Sequence, residues 1–135
     1  MSIAIEELLA FADDLLSTES ETAWRSAISR SYYAAFHRAL AWEEDQQIDG
    51  VNIGPQGGAH RQLINRLHNP SRRLPFELRQ KSMLLGTKLD LQRQRRVQAD
   101  YRLDEDVDLA LAELQVEQAR QVIHGCATPS RSLSA

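Results

Sequence analysis

One cysteine, Cys126, stands in 135 residues, so no intrachain disulfide can form and no cysteine-rich zinc site can be assembled. That scarcity fits a reducing compartment, and the cytoplasm is the expected location. Nowhere do about 18 apolar residues run together, so no membrane-spanning helix and no membrane partner are expected. The opening Met1-Ser-Ile-Ala-Ile-Glu-Glu has neither the basic start nor the apolar stretch of a secretory leader, and export is not expected. Only six glycines and four prolines interrupt the chain. An alternating apolar–polar pattern of useful length is missing too, which argues against strands, and there is no internal repeat or low-complexity tract.

What is present describes one soluble domain. At 42% hydrophobic and 26% charged, a chain of this length can bury a core without staples. The net charge of −3 conceals a segregation of sign. Residues 1–59 carry three arginines against ten acids, and residues 60–102 carry nine arginines and two lysines against three; residues 103–135 carry two arginines against six. A basic middle between acidic ends reads either as a nucleic-acid face or as helices neutralising one another in a bundle.

Five helical segments are predicted. The first covers about residues 3–17, with Ile5, Leu8, Leu9, Ala12 and Leu16 on one stripe. The second begins after a Ser20 cap and lasts to about Asp45. Residues 46–58, with four of the six glycines, form a loop expected to be mobile. A short third helix over about residues 59–68 stops at Asn69-Pro70, and Pro75 opens a fourth that reaches about Tyr101. Asp104 is expected to cap a fifth, which ends at Gly125. The predicted fold is all-α: an antiparallel four-helix bundle plus one short helix, a single domain over residues 1–127 with a frayed tail at 128–135.

Two of these helices carry more than packing. On the second, Trp24, Ile28, Ser31, Ala35, Ala39 and Trp42 form one burial stripe, while Tyr33, Phe36 and Leu40 project from another side. That second apolar face calls for another helix of the chain or a second copy. Arg30 and His37 lie about 20° apart around the axis and share a face with Tyr33. The three serve either a site or an interface rim. On the fourth helix the stripe Leu78, Ser82, Leu85, Leu89, Gln92 continues into Arg96 and Asp100, a charged pair on a burial face. The pair is either a salt bridge closing the bundle end or a polar cleft in which Arg96 binds phosphate and Asp100 orients it or acts on a proton.

Other chemistry is not encoded. Gly57-Gly58 and Gly86-Thr87-Lys88 do not make a phosphate-binding loop, and His37, His60, His68 and His124 lack metal-ligand spacing. No metal and no cofactor is implied. Cys126 has no assured catalytic partner, and His60, at the start of the third helix after the glycine-rich loop, either edges a cleft or, as expected, takes an exposed capping role.

The stretch Arg25-Ser-Ala-Ile-Ser-Arg-Ser-Tyr-Tyr-Ala-Ala-Phe-His37, followed by Arg96-Val-Gln-Ala-Asp-Tyr101, resembles the HEPN superfamily of prokaryotic helical proteins, in its small single-domain branch. The resemblance covers about residues 20–102. It implies a bundle of four or five helices that forms a homodimer, with the late motifs of two copies facing each other across a cleft. It also implies an RNA-directed role of toxin–antitoxin or phage-defence type, often metal-independent RNA cleavage, or alternatively a non-catalytic dimeric module partnering a small nucleotidyltransferase that acts as antitoxin. In the active type an Arg holds the scissile phosphate and a His, after four to six intervening residues, moves the proton. Here Asp100 stands where that His belongs, so His37 is the imidazole the motifs supply. The candidate catalytic set is Arg96, Asp100 and His37, with Arg30, Tyr33, Arg95 and Tyr101 expected to line the cleft or meet RNA.

Overall fold

The computed structural model describes residues 4–54 and 57–126, so the tail expected at 128–135 lies outside the described residues. Among them are five α-helices and no strand: α1 (Ile5–Leu15), α2 (Glu21–Asp45), α3 (Ala59–His68), α4 (Phe76–Tyr101) and α5 (Leu109–Gly125). Helices α1, α2, α4 and α5 alternate in direction: Arg38 near the end of α2 reaches Glu6 at the start of α1, Arg25 near the start of α2 reaches the end of α4, and Arg95 near the end of α4 meets Gln115 in the first half of α5. Helix α2 lies at the centre against α1, α4 and α5, and α3 packs chiefly on α4. The all-α bundle with one short extra helix is the observed architecture.

Local chemistry explains the helix starts. The Ser20 Oγ accepts the Ala23 N–H at 3.3 Å, satisfying one of the donors left over at the α2 N-terminus. Pro75 keeps an extended ψ of 149° and is therefore the N-cap of α4 rather than its first helical residue. The fifth helix starts later than predicted. Asp108, not Asp104, accepts the Leu111 N–H at 2.9 Å, because the segment before it is already committed elsewhere. Glu105 N–H closes a turn on the Arg102 carbonyl, the Glu105 carbonyl accepts from Arg25, and Val107 is buried beside Ile28 and Ala112.

The alanines of α2 let its neighbours come close: Ala27, Ala34, Ala35 and Ala39 are all fully buried. The main core gathers Tyr32, Phe36, Trp42, Leu63, Leu67, Leu89 and Val122. Phe36 is 7% exposed within the single chain and lies in the core with Leu63 and Ile64 of α3, so the second apolar face of α2 finds its partner inside the chain. Tyr33 and Leu40 on that face are half-buried.

The loop after α2 is not free at its start, contrary to the expected mobility. Ile48 is fully buried, its carbonyl accepts the Ser71 N–H at 3.0 Å, and the Val51 N–H donates to Asn69 at 3.1 Å. Gly50 is required here, since a Cβ would stand 2.1 Å from the Arg66 carbonyl oxygen. Helix α3 is further oriented by a two-point Arg66–Glu43 pair at 2.7 and 2.9 Å. Ser82 of α4 caps its C-terminus, donating to the Leu67 carbonyl at 2.7 Å. No helix of the described residues is long and apolar enough to cross a membrane.

Candidate functional site

The α4 stripe changes character along its length. Ser82, Leu85, Leu89 and Gln92 are buried, whereas Arg96 and Asp100 are partly exposed, so the charged end of the stripe emerges from the core at the junction with α2. Their side chains form an ion pair at 2.9 Å, 15% and 27% exposed respectively, which spares both the full cost of a dry interior. Ser29 of α2 donates to the same Asp100 oxygen at 3.1 Å. The Arg96 Nε is buried without an aligned hydrogen bond, so the contact with Asp100 is one of charge rather than a hydrogen-bonded fork.

The guanidinium is fixed by aromatic groups as well. Its Nη2 donates to the Tyr33 hydroxyl at 2.9 Å, and its Cζ lies 5.3 Å from the Tyr33 ring and 5.4 Å from the Tyr101 ring. Burial works against the charge, and Tyr33, Tyr101 and Asp100 together outweigh it, holding Arg96 above its ordinary pKa. Tyr101 is 67% exposed and covers the outer side of the guanidinium.

Tyr33 is the hub of the arrangement. One turn further along α2, the His37 ring stacks on it with centroids 6.4 Å apart, and His37 is exposed. From α3 the His60 ring reaches it edge-on at 5.9 Å. His60 also lies 4.3 Å from the Phe36 ring, and its Nδ1 is 2.9 Å from the Tyr32 hydroxyl. It is half-buried within an aromatic wall, which corrects the expected exposed capping role. Burial, then the charges of Arg96, His37 and Arg93, pushes the His60 pKa below its ordinary value. Burial holds the Tyr32 phenol well above its own.

Of the residues singled out from sequence, Arg96, Asp100, His37, Tyr33 and Tyr101 come together. Arg30 is exposed and makes no ion pair or hydrogen bond among the described residues. Arg95 points to the other side of α4, where Nη1 donates to Gln115 at 3.1 Å and to Gln118 of α5. Burial lowers its pKa, and it braces two helices instead of lining the cluster. Arg25, the first residue of the earlier motif, is a clamp: its guanidinium donates to the carbonyls of Gln98, Ala99, Arg102 and Glu105 at the end of α4. Cys126 is buried, its thiol pushed up to about 11, which leaves it protonated and unreactive at neutral pH.

His60, expected chiefly as an exposed cap, and Tyr32, given no role of its own, both join the cluster. The signal was there: His60 heads the stripe His60, Leu63, Ile64, Leu67, the same placement of a polar residue on a burial face that singled out Arg96. Beside the cluster, the loop and α3 enclose a cleft of about 460 Å³ lined by Asn52, Gly58, Arg61, Asn65, His68 and Asp90. Asp90 joins the two, since its carboxylate holds Arg93 at 3.2 Å. No protein-family model, curated protein or solved structure matches the chain.

Proposed function

We propose that the chain is an RNA-directed protein of the HEPN type, holding a phosphodiester on Arg96 and passing protons through His37. The observation that carries this reading is the sharing of one ring, Tyr33, by Arg96, His37 and His60. Arg96 meets its neighbours through Nε and Nη2, and Nη1 takes part in none of those contacts. That edge is the one that receives a phosphate oxygen. Cleavage without metal joins the 2′-oxygen to phosphorus as the bond from phosphorus to the 5′-oxygen breaks. The 2′-hydroxyl proton goes to an imidazole, and an imidazolium returns one to the leaving oxygen. Imidazole is the side-chain group that serves such an exchange, and His37 is the exposed one beside Tyr33. Asp100 thus positions Arg96.

The test is incubation of the purified chain with structured and single-stranded RNA in a chelator. Cleavage is expected to fall about a hundredfold or more in both Arg96→Ala and His37→Ala. Binding should weaken steeply with salt, as for any phosphate-held complex. Cleavage that survives His37→Ala, or no RNA binding at low salt, overturns the reading. Two copies are proposed to pair with their Arg96 ends facing, since Tyr101 and Leu103, 67% and 73% exposed, offer apolar surface beside the site; light scattering at micromolar concentration checks this.

One observation favours a second reading, a non-catalytic dimeric module that partners a nucleotidyltransferase-type antitoxin. Asp100 already neutralises Arg96, which lowers the affinity of that guanidinium for an anion. RNA binding that leaves the RNA intact in every condition would favour it.

A further inference from the structure

His60 stands at the head of a burial stripe, and its ring is turned inward accordingly. Three rings of α2 surround it: Phe36 at 4.3 Å, Tyr32 at 5.4 Å and Tyr33 at 5.9 Å. The Tyr32 hydroxyl meets its Nδ1 at 2.9 Å from a residue that is fully buried. A buried phenol proton needs an acceptor, and Nδ1 is the one in reach. Neutral His60 therefore carries its proton on Nε2. The ring's own geometry turns Nε2 away from the buried hydroxyl that meets Nδ1, and His60 is half-exposed, beside the Tyr33 ring and within the field of the Arg96 charge.

We propose that His60 is a second phosphate-binding group of this site, a neutral imidazole whose tautomer Tyr32 sets and whose Nε2–H donates to an oxygen of the phosphodiester held by Arg96. The inference rests on the RNA-directed reading and names the part of the substrate that His60 touches. The groups facing it favour this over a proton-carrying role. Arg93 and Arg96 of α4 and His37 of α2 bring positive charge, Tyr33 presents a ring edge, and Tyr32 spends its proton on Nδ1. Together with burial, those charges keep the imidazole neutral at pH 7. A fixed neutral donor beside a guanidinium is preorganised for an anionic oxygen, and it reaches that oxygen without having to exchange a proton.

Substitution by glutamine separates the roles, because an amide accepts from Tyr32 and donates to phosphate but cannot titrate. Long-range proton–nitrogen NMR of the unmodified chain should show His60 with its proton on Nε2. Addition of inorganic phosphate, and separately of uridine 3′-monophosphate, should shift that nitrogen, and Arg96→Gln should abolish the shift. His60→Ala is expected to weaken binding of both probes about tenfold and cleavage about a hundredfold, with His60→Gln recovering most of each. Thermal unfolding accompanies each variant. If His60→Ala does not fold, Tyr32→Phe replaces it: the tautomer should become mixed and the affinity for phosphate should fall several-fold. Glutamine as inactive as alanine in cleavage, with one limb of the pH profile lost, overturns the donor role in favour of proton transfer. Probe binding that needs Arg96 yet ignores His60→Ala reduces His60 to packing and leaves the RNA reading standing. An unmodified chain that binds neither probe removes both.

Discussion

Two arginines meet the last turns of α4, and they are used in opposite ways. Arg25 is 9% exposed and spends its donors on four backbone carbonyls and on Glu21. Nothing is left for a ligand, and what it gains is the end of a helix and the turn that follows, where the carbonyls of Ala99 and Glu105 depend on it and those of Gln98 and Arg102 also accept backbone N–H groups. Arg96 is held by charge and by ring faces, with a single hydrogen bond to Tyr33. Aromatic faces immobilise a guanidinium without consuming its N–H groups. A saturated arginine is architecture, and one held mainly by its faces keeps donors that no side chain takes up, which is what the proposed phosphate contact requires.

The comparison breaks most visibly at Arg25. Arg25→Ala removes hydrogen bonds to four carbonyls at the end of α4 and in the turn after it, leaves those of Ala99 and Glu105 without a donor, and is expected to cost about 3 kcal/mol in urea unfolding. A loss below about 1 kcal/mol would mean that water replaces the clamp at no penalty. The next largest effect sharpens the contrast from the other side. Gln92, one turn before Arg96, is fully buried, and neither polar atom of its side chain has a partner. Gln92→Leu should therefore stabilise the chain by about 1 to 2 kcal/mol, read as a higher urea midpoint with an unchanged slope.

Arg96→Ala comes third. It removes a partly exposed ion pair and two ring contacts, so its stability cost should stay near about 1 kcal/mol while phosphate binding is lost. A cost equal to that of Arg25→Ala would make Arg96 a second clamp and end the distinction. The smallest effect concerns pH. The His60 pKa lies below its ordinary 6.5 in the folded chain, so its contribution is complete above that value. As pH falls below 6.5 the unfolded chain takes up the proton first, and stability drops until the folded imidazole is protonated as well. The difference between the unmodified chain and His60→Gln should change by roughly a few tenths of a kcal/mol from pH 7 to pH 5, after allowance for solvent screening. A shift of opposite sign would place an unrecognised carboxylate against the ring.

The helices were legible in the sequence because each depends on spacing within a single segment. The stripe through Ile28, Ala35 and Ala39 predicts their burial, and the appearance of Arg96 and Asp100 on such a stripe marks the site. The start of α5 was misread for the opposite reason. Asp104 and Asp108 are both plausible caps locally, and Asp108 caps where residues before it are held by Arg25, far away in sequence, and by the burial of Val107 beside Ile28.

The sequence by itself determined that the chain is helical, where its burial faces run, and that a charged pair interrupts one of them. Side chains recurring every three or four residues share a face whatever the rest of the chain does. Only the tertiary structure decided that Arg25 clamps, that Arg95 turns to α5, and that His60 meets Tyr32. Those outcomes depend on how closely the helices approach. Gly86 of α4 leaves no room for a Cβ beside His68, Ser82 caps α3, and Glu43 grips Arg66. Together they set α3 at the position that carries His60 to Tyr33. Such distances between separate helices are fixed by packing and not by local periodicity, because a helix pattern records direction around one axis and nothing about the next.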